Sequence, residues 1–260
     1  MDKSKLYESL YKNDIYITKH PLLHIRDSKW KVHGIIPYIK KIFSLEKWNT
    51  FNILDVGGGA GIIIKEIASH IKNNYKISVN KYLLDLSLET LEIQKKMNKD
   101  YKLALNENIK KTSLENKSID LTLMMDVLEH IANPKEALKE IKRISGFVIF
   151  KIPLEDNLIF RIENFIKRGE LRRFKINNYG HINFYSPKLI IHQIEENCGK
   201  IIDFSYPNVF KFVLNSPYYS KKQSFYERIK NFLSSLIYQI SPQISSLINS
   251  NFILVLVKCN

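Results

Sequence analysis

The chain holds only two cysteines, Cys198 and Cys259, in 260 residues. That excludes a disulfide framework and gives no zinc-type spacing. No apolar run approaches the roughly 20 residues needed to cross a bilayer, which excludes a multi-span membrane protein. The longest, 252–257, reads as a buried strand. The opening residues, MDKSKLYESLY, lack the apolar stretch of a signal peptide. Reducing cytoplasm is therefore the expected compartment. Arginine is scarce, and so are acids: 26 Asp and Glu face 40 Lys and Arg, a formal net charge of +14.

An excess of that size has two readings. One is a nucleic-acid or anionic-membrane partner. The other is composition drift, since Lys, Ile, Asn and Tyr are abundant together, as in an AT-rich coding sequence. Readers of nucleic acid favour Arg forks against phosphates and bases. The scarcity of Arg favours drift, and a nucleic-acid partner is not expected. At 45% hydrophobic and 25% charged residues, the chain has an ordinary globular balance. Its length suffices for a full core without staples.

Apolar spacing predicts helices over 3–12 and 33–47, with a turn-rich stretch between them. Strands and helices then alternate. Strands are expected at 52–56, 82–86, 102–105, 119–125 and 147–152, the last stopped by Pro153. Helices are expected at 62–71, 88–97 (capped by Ser87) and 134–144. This alternation implies a parallel sheet covered on both faces. Beyond Pro153 the pattern loosens. It predicts helices over 157–167 and 187–197, closing strands at 200–206 and 252–258, and an insert with an amphipathic helix at 225–240 broken by Pro242. The expected organisation is one domain over 1–260. A helical cap or lid spans 1–50, a cofactor-binding half 51–152, and a substrate-side half 153–260 with its insert at about 207–250.

Asp55-Val-Gly57-Gly58-Gly59-Ala60-Gly61 stands directly after a strand and opens a helix. Glycines permit the tight turn and close approach of backbone to a ligand. The helix start adds exposed N–H donors. No Gly-Lys-Ser/Thr follows, so this is not a P-loop. A second acid, Asp85, ends the next strand, where a carboxylate can accept both hydroxyls of a ribose.

With these residues the chain resembles the class I S-adenosylmethionine-dependent methyltransferases, in their small-molecule and glycan-cluster branch. The glycine loop is similar to the family's first motif and Asp85 to its ribose-binding acid. Residues 114–120 and 125–134 (Met-Asp-Val-Leu-Glu-His-Ile-Ala-Asn-Pro) resemble the segments entering and leaving the fourth strand. Residues 180–187 (Gly-His-Ile-Asn-Phe-Tyr-Ser-Pro) and 20–31 also resemble that branch. The resemblance implies a Rossmann-like α/β fold, a seven-stranded, mostly parallel sheet whose last strand is antiparallel. It implies S-adenosylmethionine as cofactor and S-adenosylhomocysteine as product. The cofactor residues it implies are Asp55, Gly57, Gly59, Gly61, Asp85, Asn108 and Asp126, with Glu107 the alternative to Asn108.

Methyl transfer needs in-line positioning and, for a hydroxyl acceptor, removal of a proton. His181, His130 and Asp126 are the candidate catalytic residues. Asp126, Glu129 and His130 share one face of a helical turn, and one histidine would take the proton while Asp126 orients it or the substrate. His130 alternatively holds the post-strand turn. No metal is assigned. The rival reading makes Asp126, Glu129, His130 and His181 divalent-metal ligands, an arrangement used by some small-RNA and quinone-precursor O-methyltransferases that this stretch resembles. Trp30 with His20 and His24 forms a lid or ordinary packing. The Arg-bearing segment 167–175 binds an anionic substrate or is a solvated helix face. The insert is core or dimer surface rather than a membrane anchor.

The expected function is transfer of a methyl group to a small-molecule acceptor, a hydroxyl of a sugar, lipid or glycan precursor. The alternatives are RNA or protein methylation, or cofactor binding without catalysis. A nucleic-acid N-methylating enzyme would carry Asn/Asp-Pro-Pro-Tyr/Phe where Asp126-Val-Leu-Glu stands.

Overall fold

The computed structural model describes Ile25 and residues 27–259. The helix expected over 3–12 and the His20/His24 pair lie outside the described residues. The strands are β1 (Thr50–Val56), β2 (Ser78–Leu84), β3 (Tyr101–Leu105), β4 (Ile119–Met125), β5 (Ser145–Leu154), β6 (Lys200–Ser205) and β7 (Asn251–Lys258). They form one sheet ordered β3-β2-β1-β4-β5-β7-β6. β1 to β5 pair in parallel, and β7 runs antiparallel to both β5 and β6.

Alternating strand residues feed two cores, one on each face. Ile53 and Leu121 face Ile35, Ile39, Ile63 and Ile67 of α1 (Ser28–Leu45) and α2 (Ile62–Tyr75). Leu54 and Met124 face the other side, against α4 (Pro134–Ile144) and α7 (Pro187–Asn197). Ile63, Ile67 and Ile71 recur at helical spacing and are all buried. Each such side chain contributes about 1.5–3 kcal/mol of burial, which fixes α2 behind the glycine loop. α3 (Leu88–Met97) starts where Ser87 caps it, its side chain accepting from the Thr90 N–H.

Two expectations are corrected. β5 continues through Pro153, which pairs with Phe252. The last β4 partner is at Lys151, so the missing proline N–H breaks no β4 ladder bond. β2 ends at Leu84, leaving Asp85 just beyond the strand. Most of the basic segment 167–175 lies on a helix, in keeping with its helix-face reading. After α5 (Leu158–Ile166) it turns at Gly169 into α6 (Glu170–Tyr179).

The stretch after β6 holds α8 (Val209–Asn215), α9 (Pro217–Lys222), α10 (Phe225–Ile240) and α11 (Pro242–Ile248). Pro242 opens α11 rather than simply breaking a helix, since proline suits a first helical turn. Trp30 of α1 stacks on Phe212 of α8 at 5.1 Å between ring centroids and meets Phe252 edge-on at 6.1 Å. Cys198 and Cys259 are buried free thiols, 3.8 Å apart at sulfur.

Candidate active site

The loops after β1, β2, β4 and β5 lie at the carboxyl edge of the parallel strands, where open α/β sheets bind ligands. The first is the glycine loop. Gly57, Gly59 and Gly61 all have positive φ, at 63°, 55° and 72°, which side chains rarely adopt. A Cβ on Gly57 would stand 2.9 Å from Val127 Cγ2, and one on Gly61 2.7 Å from Asn98 Nδ2. The loop is thus wedged between the exit of β4 and α3. The Asp55 carboxylate lies beneath it: a Cβ on Gly58 would come within 2.2 Å of Asp55 Oδ2. That oxygen is buried and has no hydrogen-bond partner. Burial, helped by the charge of Asp85, raises the Asp55 pKa to about 7 against the pull of Lys31.

Asp85 follows β2. Its carboxylate accepts from the Ser87 N–H at 2.9 Å and from Gln94 Nε2 at 2.8 Å. Burial again raises its pKa to about 7, against these bonds. Each oxygen accepts one of these bonds and keeps further acceptor capacity. Asn106 Nδ2 donates to the Asp85 carbonyl at 2.9 Å. Asn108 follows, its Oδ1 accepting from the Lys110 N–H at 3.0 Å.

The β4 exit departs from expectation at Asp126. Its backbone is left-handed, φ 58°, and its N–H donates to the Lys151 carbonyl at 2.9 Å. One carboxylate oxygen pairs with Lys31 Nζ at 2.8 Å, the other with Lys151 Nζ. Lys31 also pairs with Asp27 at 3.0 Å. Both lysines are buried. Burial lowers the Lys151 pKa. It works the same way on Lys31, but Asp126 and Asp27 hold that pKa above its ordinary value. Asp126 therefore ties α1 to β5.

Glu155 is the carboxylate bonded to His181. It follows β5, is buried, and accepts from His181 Nδ1 at 2.8 Å and Lys175 Nζ at 2.6 Å. Burial opposes its charge, but His181 and Lys175 hold its pKa below the usual carboxylate value. The Ile182 and Asn183 N–H groups both donate to the Glu129 carbonyl at 3.0 Å. His130 Nδ1 lies 3.1 Å from the Gly180 carbonyl. These bonds sew the 180–183 loop to the β4 exit and bring the two imidazoles to 4.9 Å, edge to face. Carbonyls and carboxylates only accept, so both Nδ1 atoms donate and both Nε2 atoms are the acceptors.

Glu129 is buried beside them, with neither carboxylate oxygen hydrogen-bonded. Burial, then the charge of Asp126, raises its pKa well above the ordinary value. Glu129, His130 and His181 each offer one ligand atom, all within 4.8 Å of one another. Asp126, expected in that set, is not part of it.

Sequence reasoning missed Lys31, Gln94, Lys151 and Glu155. Two had a signal: a lysine inside the apolar strand Phe147-Val-Ile-Phe-Lys-Ile152, and an acid just past its carboxyl end.

Residues 54–148 match the family profile described as a methyltransferase domain. No curated protein sequence matches the chain. Among solved structures, geranyl diphosphate methyltransferase in complex with S-adenosylmethionine is similar with TM-score 0.60 at 11% identity, over 96% of this chain and 92% of that one. Phosphoethanolamine N-methyltransferase 2 of Haemonchus contortus gives 0.54 at 15% identity, over 87% and 52%. The [4+2]-cyclase SpnF gives 0.54 at 10%, over 85% and 80%. Identities this low establish the shared fold and say nothing of the acceptor. With the glycine loop, the sheet order and the family profile agreeing, residues 54–148 are a methyltransferase domain, set in a chain with the class I S-adenosylmethionine-dependent methyltransferase fold.

Proposed function

We propose that this enzyme methylates a hydroxyl of a small acceptor such as a sugar, lipid or glycan precursor, with His181 as the base. The observation that carries the reading is the Glu155–His181 pair on the edge that holds the glycine loop. The residues fit the cofactor. Three glycines of positive φ shape a turn whose backbone can approach a ligand closely, and the orphaned Asp55 oxygen suits a cationic or hydrogen-bond-donating group. The resemblance gives Asp85 the ribose and Asn108 the adenine. When bound, S-adenosylmethionine supplies an electrophilic methyl group and a neutral thioether as leaving group.

Glu155 fixes the His181 tautomer and presents Nε2 to the acceptor. As the acceptor oxygen bonds to the methyl carbon, its proton passes to that nitrogen. The imidazolium so formed is stabilised by Glu155. A positioned base contributes about 10²–10⁴-fold in rate. His181→Ala should therefore lower turnover of labelled methyl groups into a metabolite extract by that factor, with cofactor affinity nearly unchanged. An equal fall in both would contradict the base role.

A second reading has its own observation, the two carboxylate oxygens of buried Glu129 that make no hydrogen bond, beside two imidazoles. Glu129, His130 and His181 would then hold a divalent cation that clamps the acceptor oxygen and lowers its pKa. Chelation and Glu129→Gln distinguish the two. Activity that survives a chelator supports the base alone. Activity that is lost and restored by added metal supports the cation.

A further inference from the structure

The α10–α11 hairpin is built inside out. Phe225, Ile229, Phe232, Leu233, Leu236 and Ile240 recur at the spacing of one helix face. That face points to solvent, with Phe225 81% and Ile240 85% exposed. On the protein-facing side of α10 only Ser234 is fully buried, at 3% exposed, with Tyr238 packed against the core. The Ser234 carbonyl accepts from Ser245 Oγ at 2.8 Å, and its Oγ accepts from Asn249 Nδ2 at 3.0 Å. Water disfavours an outward apolar stripe, and a soluble monomer rarely keeps a large one without a partner.

The neighbouring helix repeats the pattern. Glu163 of α5 accepts from Tyr226 Oη of α10 at 3.0 Å. α5 leaves Phe165 85% and Ile166 71% exposed. Beside them Arg161, Arg168 and Arg172 line an open cavity of about 650 Å³. Basic residues dominate both segments. Residues 209–248 hold five Lys and Arg against one Glu, and 158–179 six against two. A second copy would set one basic surface against another, which costs affinity. A bilayer of anionic lipids accepts aromatic and aliphatic side chains at its boundary and attracts the lysines and arginines around them. No described helix is long and apolar enough to span a membrane, so contact stays at the surface.

We propose that the apolar face of α10, with α5 and its arginine-lined cavity, docks this protein on an anionic membrane surface. α5 begins three residues after Glu155, beyond the carboxyl edge of β5, and its capping residue Asn157 bonds Ser250 after α11 at 3.0 Å. Docking there sets the candidate active site close to the lipid headgroups, within reach of a lipid-borne acceptor. The inference concerns the surface and stands without the His181 reading.

The test is cosedimentation of the full chain with vesicles. Two compositions serve: phosphatidylcholine alone, and phosphatidylcholine with about one-third phosphatidylglycerol. Binding to the anionic vesicles only is expected, weakening as salt rises. Phe225→Glu/Phe232→Glu should reduce it roughly tenfold or more, and Lys221→Ala/Lys222→Ala about fivefold per lysine. Circular dichroism should be unchanged in both variants, since these side chains are exposed or sit on a short surface helix. Absence of vesicle binding, or binding indifferent to both pairs of substitutions, overturns the proposal. So does a dimer in sedimentation velocity that the Phe225/Phe232 variant splits while vesicles are ignored.

Discussion

Asp126→Asn isolates one charge. Asparagine tolerates the left-handed backbone of this position about as well as aspartate, so the substitution removes the charge without adding strain. Two buried lysines then face a neutral amide. Lys31 keeps Asp27 at 3.0 Å, whereas Asp126 is the only ion-pair partner of Lys151 among the described residues. The loss therefore falls on Lys151, which is 1% exposed. Breaking a buried pair from one side costs about 3–5 kcal/mol. For a chain of this size that is a Tm fall of roughly 6–20 °C. Adding Lys151→Met removes the stranded ammonium and fills its place beside the Phe252 ring, over which Lys151 Nζ now lies at 3.4 Å. The double variant should recover most of the stability, since apolar replacement of a buried pair is often neutral or better. Thermal and urea melts of wild type, both single variants and the double variant close the cycle. A loss under about 1 kcal/mol in Asp126→Asn, or a double variant less stable than that single one, would refute the reasoning.

Two further outcomes follow from the charges. Asp55 and Asp85 have pKa values raised to about 7 by burial. An acid whose folded pKa lies above its unfolded value near 4 binds more protons when folded. Its contribution favours the fold at low pH and is lost as pH climbs from about 4 to about 7. A cationic cofactor beside these groups expels their protons. Calorimetry near pH 6.5 in buffers of different ionisation enthalpy should show net proton release on S-adenosylmethionine binding, and its absence would contradict the assignment. Random RNA should bind weakly at physiological salt, with Kd no tighter than about 10⁻⁶ M; sequence-selective binding below that would promote RNA as acceptor.

Much of the fold is legible because its signals are local. The apolar run into Asp55 and its glycines marks β1 and the turn. Ser87, Pro134 and Pro187 mark helix starts where the structure has them. The site is legible only as far as a motif reaches. Asp126 stands in the right segment, but its partners come from α1 and β5, more than twenty residues away in sequence on either side. Hydrophobic periodicity carries no information on such pairs. Glu155 was hidden the same way, since its meeting with His181 depends on how a loop folds back over the β4 exit. Apolar spacing makes the α10 stripe legible as amphipathic. The side of that helix facing the protein follows from Ser234, Ser245 and Asn249 packing together, which spacing alone does not encode.

The central claim is that the glycine loop and Asp85 hold S-adenosylmethionine. Titration calorimetry on wild type, Asp85→Ala and Gly59→Val tests it most directly, with circular dichroism as the folding control. Saturable binding should fall roughly 10–100-fold in Asp85→Ala, the loss of charge-assisted bonds of about 1.5–3 kcal/mol. It should vanish in Gly59→Val, where a branched side chain at φ 55° disrupts the cradle. Wild-type protein that does not bind the cofactor, or affinity unchanged in both variants, would contradict the account.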